Sequence, residues 1–147
     1  MNGKSIDRIN VGDAETFAKT VSETDIYLFA GVTGDLNPAH IDEAYAGGTF
    51  FKTRIAHGML SAGFISAVIG MKLPGPGTIY MKQEIKFLAP VRIGDTITAR
   101  AEVVEVNGEK NRVTLRTTCT NQEGTLVVDG QALVSPPKAP KQDEPSA

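Results

Sequence analysis

The 147-residue sequence has a single cysteine, two histidines and a formal net charge of only −2, and each scarcity removes a class of function. One cysteine excludes an internal disulfide, and Cys119 with His40 and His57 makes too small a donor set for a Cys/His zinc site. The weak net charge provides no general field to attract polyanions, so nucleic acid is not an expected partner. Lys4, Asp7, Arg8, Asp13 and Glu15 interrupt the stretch from Met1 to Val21, which leaves no apolar segment of the kind that directs export. The longest uncharged run, Ile55 to Met71, falls short of the roughly 20 residues that span a bilayer. A cytoplasmic protein with no membrane partner is the expectation.

Hydrophobic residues make up 41% and charged residues 22%, a balance that supports one packed domain. That domain is expected over residues 1–135, followed by a proline-rich polar tail, 136–147, unsuited to a core. A first strand is predicted from about Thr16 to Val21. Ser22 followed by Asp25 resembles a capping box, and Ile26, Phe29 and Ala30 then share a helix face. This helix should run out through Gly31-Val32-Thr33-Gly34. Asn37 as N-cap and Pro38 at the first helical position start another, so Asp35 falls in a loop and His40 in a first helical turn.

The second half of the chain changes period. Ile79, Met81, Ile85 and Phe87 alternate with polar residues, as do Ile97, Ala99, Ala101 and Val103, then Val113, Leu115, Thr117 and Cys119, and finally Leu126, Val128, Ala132 and Val134. These read as half-buried strands of an antiparallel meander, with Asn107-Gly108 and Glu123-Gly124 as hairpin turns. Such a sheet needs an apolar cover, and only His57 to Met71 is long enough. Gly58, Gly63 and Gly70, with Ser61, Ala62, Ser66 and Ala67, are expected to let strands close tightly around that helix. The predicted class is α+β: a hot dog fold, with a long central helix wrapped by a five-stranded antiparallel sheet. Its free edges favour a homodimer.

Both histidines lie in dense polar clusters. In Gly34-Asp35-Leu36-Asn37-Pro38-Ala39-His40-Ile41-Asp42, a carboxylate and an imidazole flank a proline-initiated turn and can converge on one water as an acid/base pair. The same residues also suit a structural reading, with Asp35 and Asn37 shaping and capping the turn and Asp42 complementing a helix dipole. In Arg54-Ile55-Ala56-His57-Gly58-Met59-Leu60, the helix start offers unpaired N–H groups for an oxyanion, with Gly58 as donor. Gly58 serves equally to relieve packing, and His57 to fix the turn by hydrogen bonding. Arg54 can pair with a phosphate or with a local carboxylate. Gly75-Pro76-Gly77 lacks the context of a phosphate loop, and no Ser or Cys has that of a nucleophile elbow.

Together, Gly-Asp-x-Asn-Pro-x-His at 34–40 and Ile-Ala-His-Gly-Met-Leu at 55–60 resemble the MaoC-like (R)-specific enoyl-CoA hydratases, or hydratase 2 family. The likeness extends more loosely from about Val21 to Val106, through Phe87-Leu88-Ala89-Pro90-Val91-Arg92-Ile93-Gly94-Asp95. It implies a hot dog fold, no metal or redox cofactor, and syn addition of water to a trans-2-enoyl thioester of CoA or acyl carrier protein. It further implies that Asp35 and His40 are the catalytic pair, that Gly58 is the oxyanion donor and that Ser66 lines the acyl pocket. Two other readings stand beside it: a hot dog thioesterase, and a noncatalytic acyl-thioester-binding subunit of a dehydratase.

Overall fold

The structure is a computed structural model that describes residues 2–140. Its strands are β1 (Ala14–Thr20), β2 (Ile79–Phe87), β3 (Thr96–Asn107), β4 (Arg112–Thr120) and β5 (Leu126–Ser135). They form one antiparallel sheet in the order β1-β3-β4-β5-β2. Between β1 and β2 the chain forms helices α1 (Glu23–Thr33), α2 (Pro38–Ile41), α3 (Glu43–Gly47) and α4 (Gly58–Met71). None of the helices among the described residues is long and apolar enough to cross a membrane.

Helix α4 is oriented by its own periodicity. A repeat of 3.6 residues puts Ser61, Phe64, Ile65, Val68 and Ile69 on one face, and all five are buried, packed chiefly over β3 and β1. The sheet answers with Ile97, Ala99, Ala101 and Val103, at most 1% exposed, alternating along β3 as expected. Of the small residues expected at this contact, Ser61 faces the sheet and Gly58 meets Phe87 of β2 closely, but the others do not mediate it. Gly63 and Gly70 have open space where a β-carbon would stand, and Ser66 is exposed. Burying a large aliphatic or aromatic side chain is worth about 1.5–3 kcal/mol and burying a glycine far less, so the large residues claim the sheet side. The helix-in-sheet arrangement is a hot dog fold.

The meander holds for β3, β4 and β5 but not for β2. Strand β1 occupies the other edge of β3, from Thr20 opposite Thr96 to Ala14 opposite Glu102, so β2 crosses the sheet and pairs with β5. There it lies beyond the cover of α4, with a bulge between Tyr80 and Lys82. Ile79, Met81 and Phe87, expected to be half-buried, are consequently 63, 47 and 52% exposed. The turn at Asn107-Gly108 is also longer than a two-residue hairpin. Asn111, not Gly108, takes the left-handed conformation at φ 54°, and the Asn107 side chain accepts from Lys110 N at 3.2 Å. Strand β1 begins two residues before the expected Thr16 and stops at Thr20.

The packed body runs slightly past Ser135. Pro136 is buried, and its carbonyl accepts from Asn111 Nδ2 at 2.9 Å. Pro136, expected to open the tail, thus packs with the domain, and residues 141–147 lie outside the described ones.

Candidate active site

Local sequence chemistry delivers the first cluster. Ser22 and Asp25 form the expected capping box at the start of α1. At its end Gly34 adopts φ 83°, a left-handed C-cap that only glycine occupies without strain, and the chain turns sharply. Asp35 follows in the loop, its Oδ1 accepting from Asn37 N at 3.2 Å. Asn37 in turn caps α2 by accepting from Ala39 N at 3.0 Å, with Pro38 at the first helical position. Asp42 has a more specific role than dipole complementarity: it is the N-cap of α3, accepting from Tyr45 N at 3.1 Å.

One turn of α2 carries His40 inward, where Nδ1 donates to the Ile55 carbonyl at 2.7 Å. Ile55 N returns a bond to Ala39 O at 3.2 Å, so the two segments hold each other in register. Next to Ile55, Arg54 is nearly buried and fully engaged. It donates to Glu23 at 2.7 Å, to Glu43 at 2.9 Å and to the Tyr27 hydroxyl at 3.0 Å, tying the segment before α4 to α1 and α3. Of its two possible partners, local carboxylates rather than a phosphate take it. The Arg54 hydrogen bond holds Glu23 below the usual carboxylate range. Glu43 is held low by the Thr53 hydroxyl and then by Arg54.

His57, just before α4, is 2% exposed. Its Nε2 donates to the Asp35 carbonyl at 3.0 Å, and its ring stacks on His40 with centres 3.8 Å apart and 30° between planes. Gly58 then opens the helix, and its N–H has no acceptor within the helix. Atoms of Asp35, His40 and His57 all come within 4.8 Å of one another. This spacing is also compatible with a bound cation, but the stacking argues against one. Lone pairs of near-parallel imidazoles lie in near-parallel planes and do not converge on one ion. The cluster is better suited to moving protons.

Two clefts meet at this cluster. The first, about 500 Å³, has His40 and Gly58 on its wall and is otherwise mainly apolar, with Phe51, Phe87 and Val128 among its lining. The second, about 550 Å³, has Asp35 on its wall and runs along the open face of α4, past Ala62 and Gly63 to Tyr80 and Gln83. Met59 borders both. Asp35, His40 and Gly58 are therefore brought together, whereas Ser66 lines neither cleft; it lies on the same helix face about one turn beyond Ala62 and Gly63. Sequence reasoning missed Met59, Phe87 and Gln83. Only Gln83 carried a signal, as the one polar residue among Ile79, Met81, Ile85 and Phe87 on the apolar parity of β2. It donates to Thr117 Oγ1 at 2.9 Å. Burial pushes the Cys119 thiol up to about 12, which disqualifies it as a nucleophile.

The chain is similar to known proteins over most of its length. The sequence model for the MaoC like domain matches residues 11–124. An (R)-specific enoyl-CoA hydratase of Rhodospirillum rubrum is 60% identical over 129 residues, covering 88% of this chain and 89% of the relative. A 3-hydroxybutyryl-CoA dehydratase of Methylorubrum extorquens is 47% identical over 135 residues, covering 92% and 85%. Among solved structures, an unliganded R-hydratase of Pseudomonas aeruginosa superposes with a TM-score of 0.89 at 43% identity, covering 99% of this chain and 96% of that one.

Proposed function

The chain belongs to the MaoC-like domain family, and from that premise we propose that it adds water to a trans-2-enoyl-CoA to give an (R)-3-hydroxyacyl-CoA, or catalyses the reverse dehydration. The observation that carries the reading is the approach of Asp35 and His40 to within 4.8 Å at apolar clefts, with Gly58 at the start of α4 on the same wall as His40. Two hydrogen bonds of about 2.8 Å to one tetrahedral oxygen place their far ends about 4.6 Å apart, so the spacing suits a single bridging water.

The roles follow from which atoms are already engaged. His40 Nδ1 donates to Ile55, which leaves Nε2 for the water. Asp35 Oδ1 takes Asn37 N, while Oδ2 stands 4.0 Å from His57 and is open to the water. As the water oxygen bonds to C3 of the enoyl group, the dyad removes one of its protons and a proton reaches C2 on the same face, so the C2–C3 double bond is consumed and nothing is oxidised or reduced. Negative charge builds on the thioester oxygen during the step. The Gly58 N–H bonds it more strongly in the transition state than in the ground state, which is the condition for catalysis. General acid/base groups contribute about 10²–10⁴-fold and one oxyanion donor about 10²–10³-fold, enough together without a covalent intermediate.

A homodimer joined through β2 is part of the same proposal. The free edge of β2 exposes Ile79 and Met81, and the open face of α4 beside it exposes Met59. Unpaired, apolar strand edges favour association, and a second copy laid along this edge would roof the cleft that holds Asp35.

The test is loss of enoyl-thioester absorbance with crotonyl-CoA and longer homologues, followed by chiral analysis of the product and a thiol assay for free CoA. An (R)-3-hydroxyacyl-CoA with the thioester intact is expected. Release of CoA without hydration would establish a thioesterase instead, and an (S) product would overturn the assigned face of attack.

A further inference from the structure

We propose that His57 is a positioning residue that holds Asp35 and His40 in mutual register; the inference rests on the hydratase reading and adds a residue to it. The two members of the pair come from different elements, Asp35 from the loop after α1 and His40 from α2. The imidazole of His57 touches both, by the 3.0 Å bond to the Asp35 carbonyl and by the stack on His40. Phe29 of α1 closes the other contact, its ring centre 4.7 Å from that of His57.

The loop needs such a tie. Its other hydrogen bonds among the described residues are local, among them Asp35 N to Thr33 Oγ1, Leu36 N to Gly34 O, Asn37 N to Asp35 Oδ1 and Ala39 N to Asn37 Oδ1. These shape the turn but do not fix where it stands relative to α4. The His57 bond spans 22 positions in sequence and does so. A carbonyl can only accept, so Nε2 must carry the hydrogen, and the Asp35 main chain is anchored while its Oδ2, 4.0 Å away, is left open for water. On the other side, the stack covers one face of His40 while Ile55 fixes its Nδ1, which leaves that ring little freedom to rotate.

The second nitrogen of His57 distinguishes positioning from packing. Nδ1 is buried with no hydrogen-bond partner among the described residues. An unpaired buried polar atom carries a free-energy cost that a benzene ring at the same place would avoid. A residue kept only to fill this space would be better as phenylalanine. The donor at Nε2 is what phenylalanine cannot supply.

Two substitutions separate the contributions. His57→Phe keeps a buried ring and removes the donor; His57→Gln places an amide N–H near the position of Nε2 and removes the ring. Wild-type hydration of crotonyl-CoA is measured first, and its absence overturns the hydratase reading rather than this one. Given wild-type activity, we expect His57→Phe to melt within a few degrees of wild type. Its kcat should fall by about 30-fold or more while KM stays within about threefold, because misplacing a catalytic group damages the chemical step more than binding. His57→Gln should exceed His57→Phe in kcat by about tenfold if a single restored hydrogen bond re-anchors the loop. A folded His57→Phe within threefold of wild-type kcat, or His57→Gln no faster than His57→Phe, overturns the proposal.

A readout independent of activity and of variant folding comes from the wild-type protein. With only two histidines in the chain, long-range proton–nitrogen correlation spectra resolve both rings. His57 should hold its hydrogen on Nε2 and exchange it slowly, while His40 should hold one on Nδ1. A rapidly exchanging or mixed tautomer at His57 would remove the anchor and with it the proposal.

Discussion

A β-carbon built on Gly58 would lie 2.6 Å from Cε1 of Phe87, so the start of α4 and the end of β2 meet where no other residue type fits undisturbed. Alanine at 58 keeps the backbone N–H proposed to bind the oxyanion and takes away only this space. The ring of Phe87 is half exposed and can swing aside, so Gly58→Ala should cost no more than about 1–2 kcal/mol of stability. The displaced ring would intrude on the cleft that carries His40, and hydration should fall by about tenfold or more. In a Phe87→Ala background the same Gly58→Ala change should be nearly silent, a coupling that a double-mutant cycle reads directly. Equal losses in both backgrounds would show that space beside Phe87 is not what glycine provides.

The Arg54 clamp predicts a pH dependence of stability. Glu23 and Glu43 are held below the usual carboxylate range by Arg54 and, for Glu43, first by Thr53. A carboxylate with a depressed folded pKa stabilises the fold fully above its unfolded value, about 4.3, and the contribution disappears as pH falls through the folded value. Arg54→Met should therefore lower the urea midpoint at pH 7 and flatten its fall below about pH 4.3 relative to wild type. Parallel curves for the two proteins down to pH 3 would mean that Arg54 does not hold these carboxylates below their usual range.

Much of this architecture was legible because it is written locally. The capping box at Ser22 and Asp25, the Asn37-Pro38 restart and the alternation along β3 each depend on residues a few positions apart, and each was found where expected. The place of β2 was not legible. Its partner was decided by β1 occupying the edge of β3, a pairing some eighty positions apart in sequence that leaves no local period. The face of α4 turned to the sheet could have been inferred from Phe64, Ile65, Val68 and Ile69, but its abundant glycine drew attention to the wrong side. In the site, Asp35 and His40 were visible as a dense polar motif. The double contact of His57 was not, because stacking on His40 and bonding to Asp35 arise only when three elements meet.

A charge on the exposed edge of β2 tests the proposed dimer. Met81 sits at the bulge, 47% exposed, on the edge that pairs with no other strand among the described residues. Met81→Asp should convert a dimer to a monomer at micromolar concentration, since carboxylates facing each other across an edge repel and lose water. Light scattering reads the mass, and hydration should fall with it if the second copy roofs the Asp35 cleft. A wild-type monomer with full activity would refute the assembly outright.

Ser66 offers a separate test of where the acyl chain runs. It is exposed on the same face of α4 as Ala62 and Gly63, about one turn beyond them, so only a substrate reaching past those residues would meet it. Ser66→Leu should leave crotonyl-CoA turnover within about twofold and lower that of octenoyl-CoA by about tenfold, the range in which pocket contacts discriminate methylenes. If both substrates suffer equally in a folded variant, the chain takes another path.

The sharpest prediction concerns Asp35 and His40, whose structural and catalytic roles have different signatures. Asp35→Asn preserves the side-chain shape and the acceptor for Asn37 N, and removes the carboxylate. His40→Gln keeps a polar group and removes the ring that stacks on His57. If the two residues only shape the turn, each change should shift stability by up to about a kcal/mol, as for a lost cap, and leave turnover nearly intact. If they share one water, each should lower the hydration rate by about 10²-fold or more with the melting temperature nearly unchanged for Asp35→Asn. The double variant should then be far less impaired than the product of the two single losses, because once either partner is gone the other has no positioned water to act on. Near-wild-type turnover of crotonyl-CoA by either folded single variant would falsify the dyad. Fully multiplicative losses would mean that Asp35 and His40 act in separate steps, and that one water does not bridge the two side chains, which approach to within 4.8 Å.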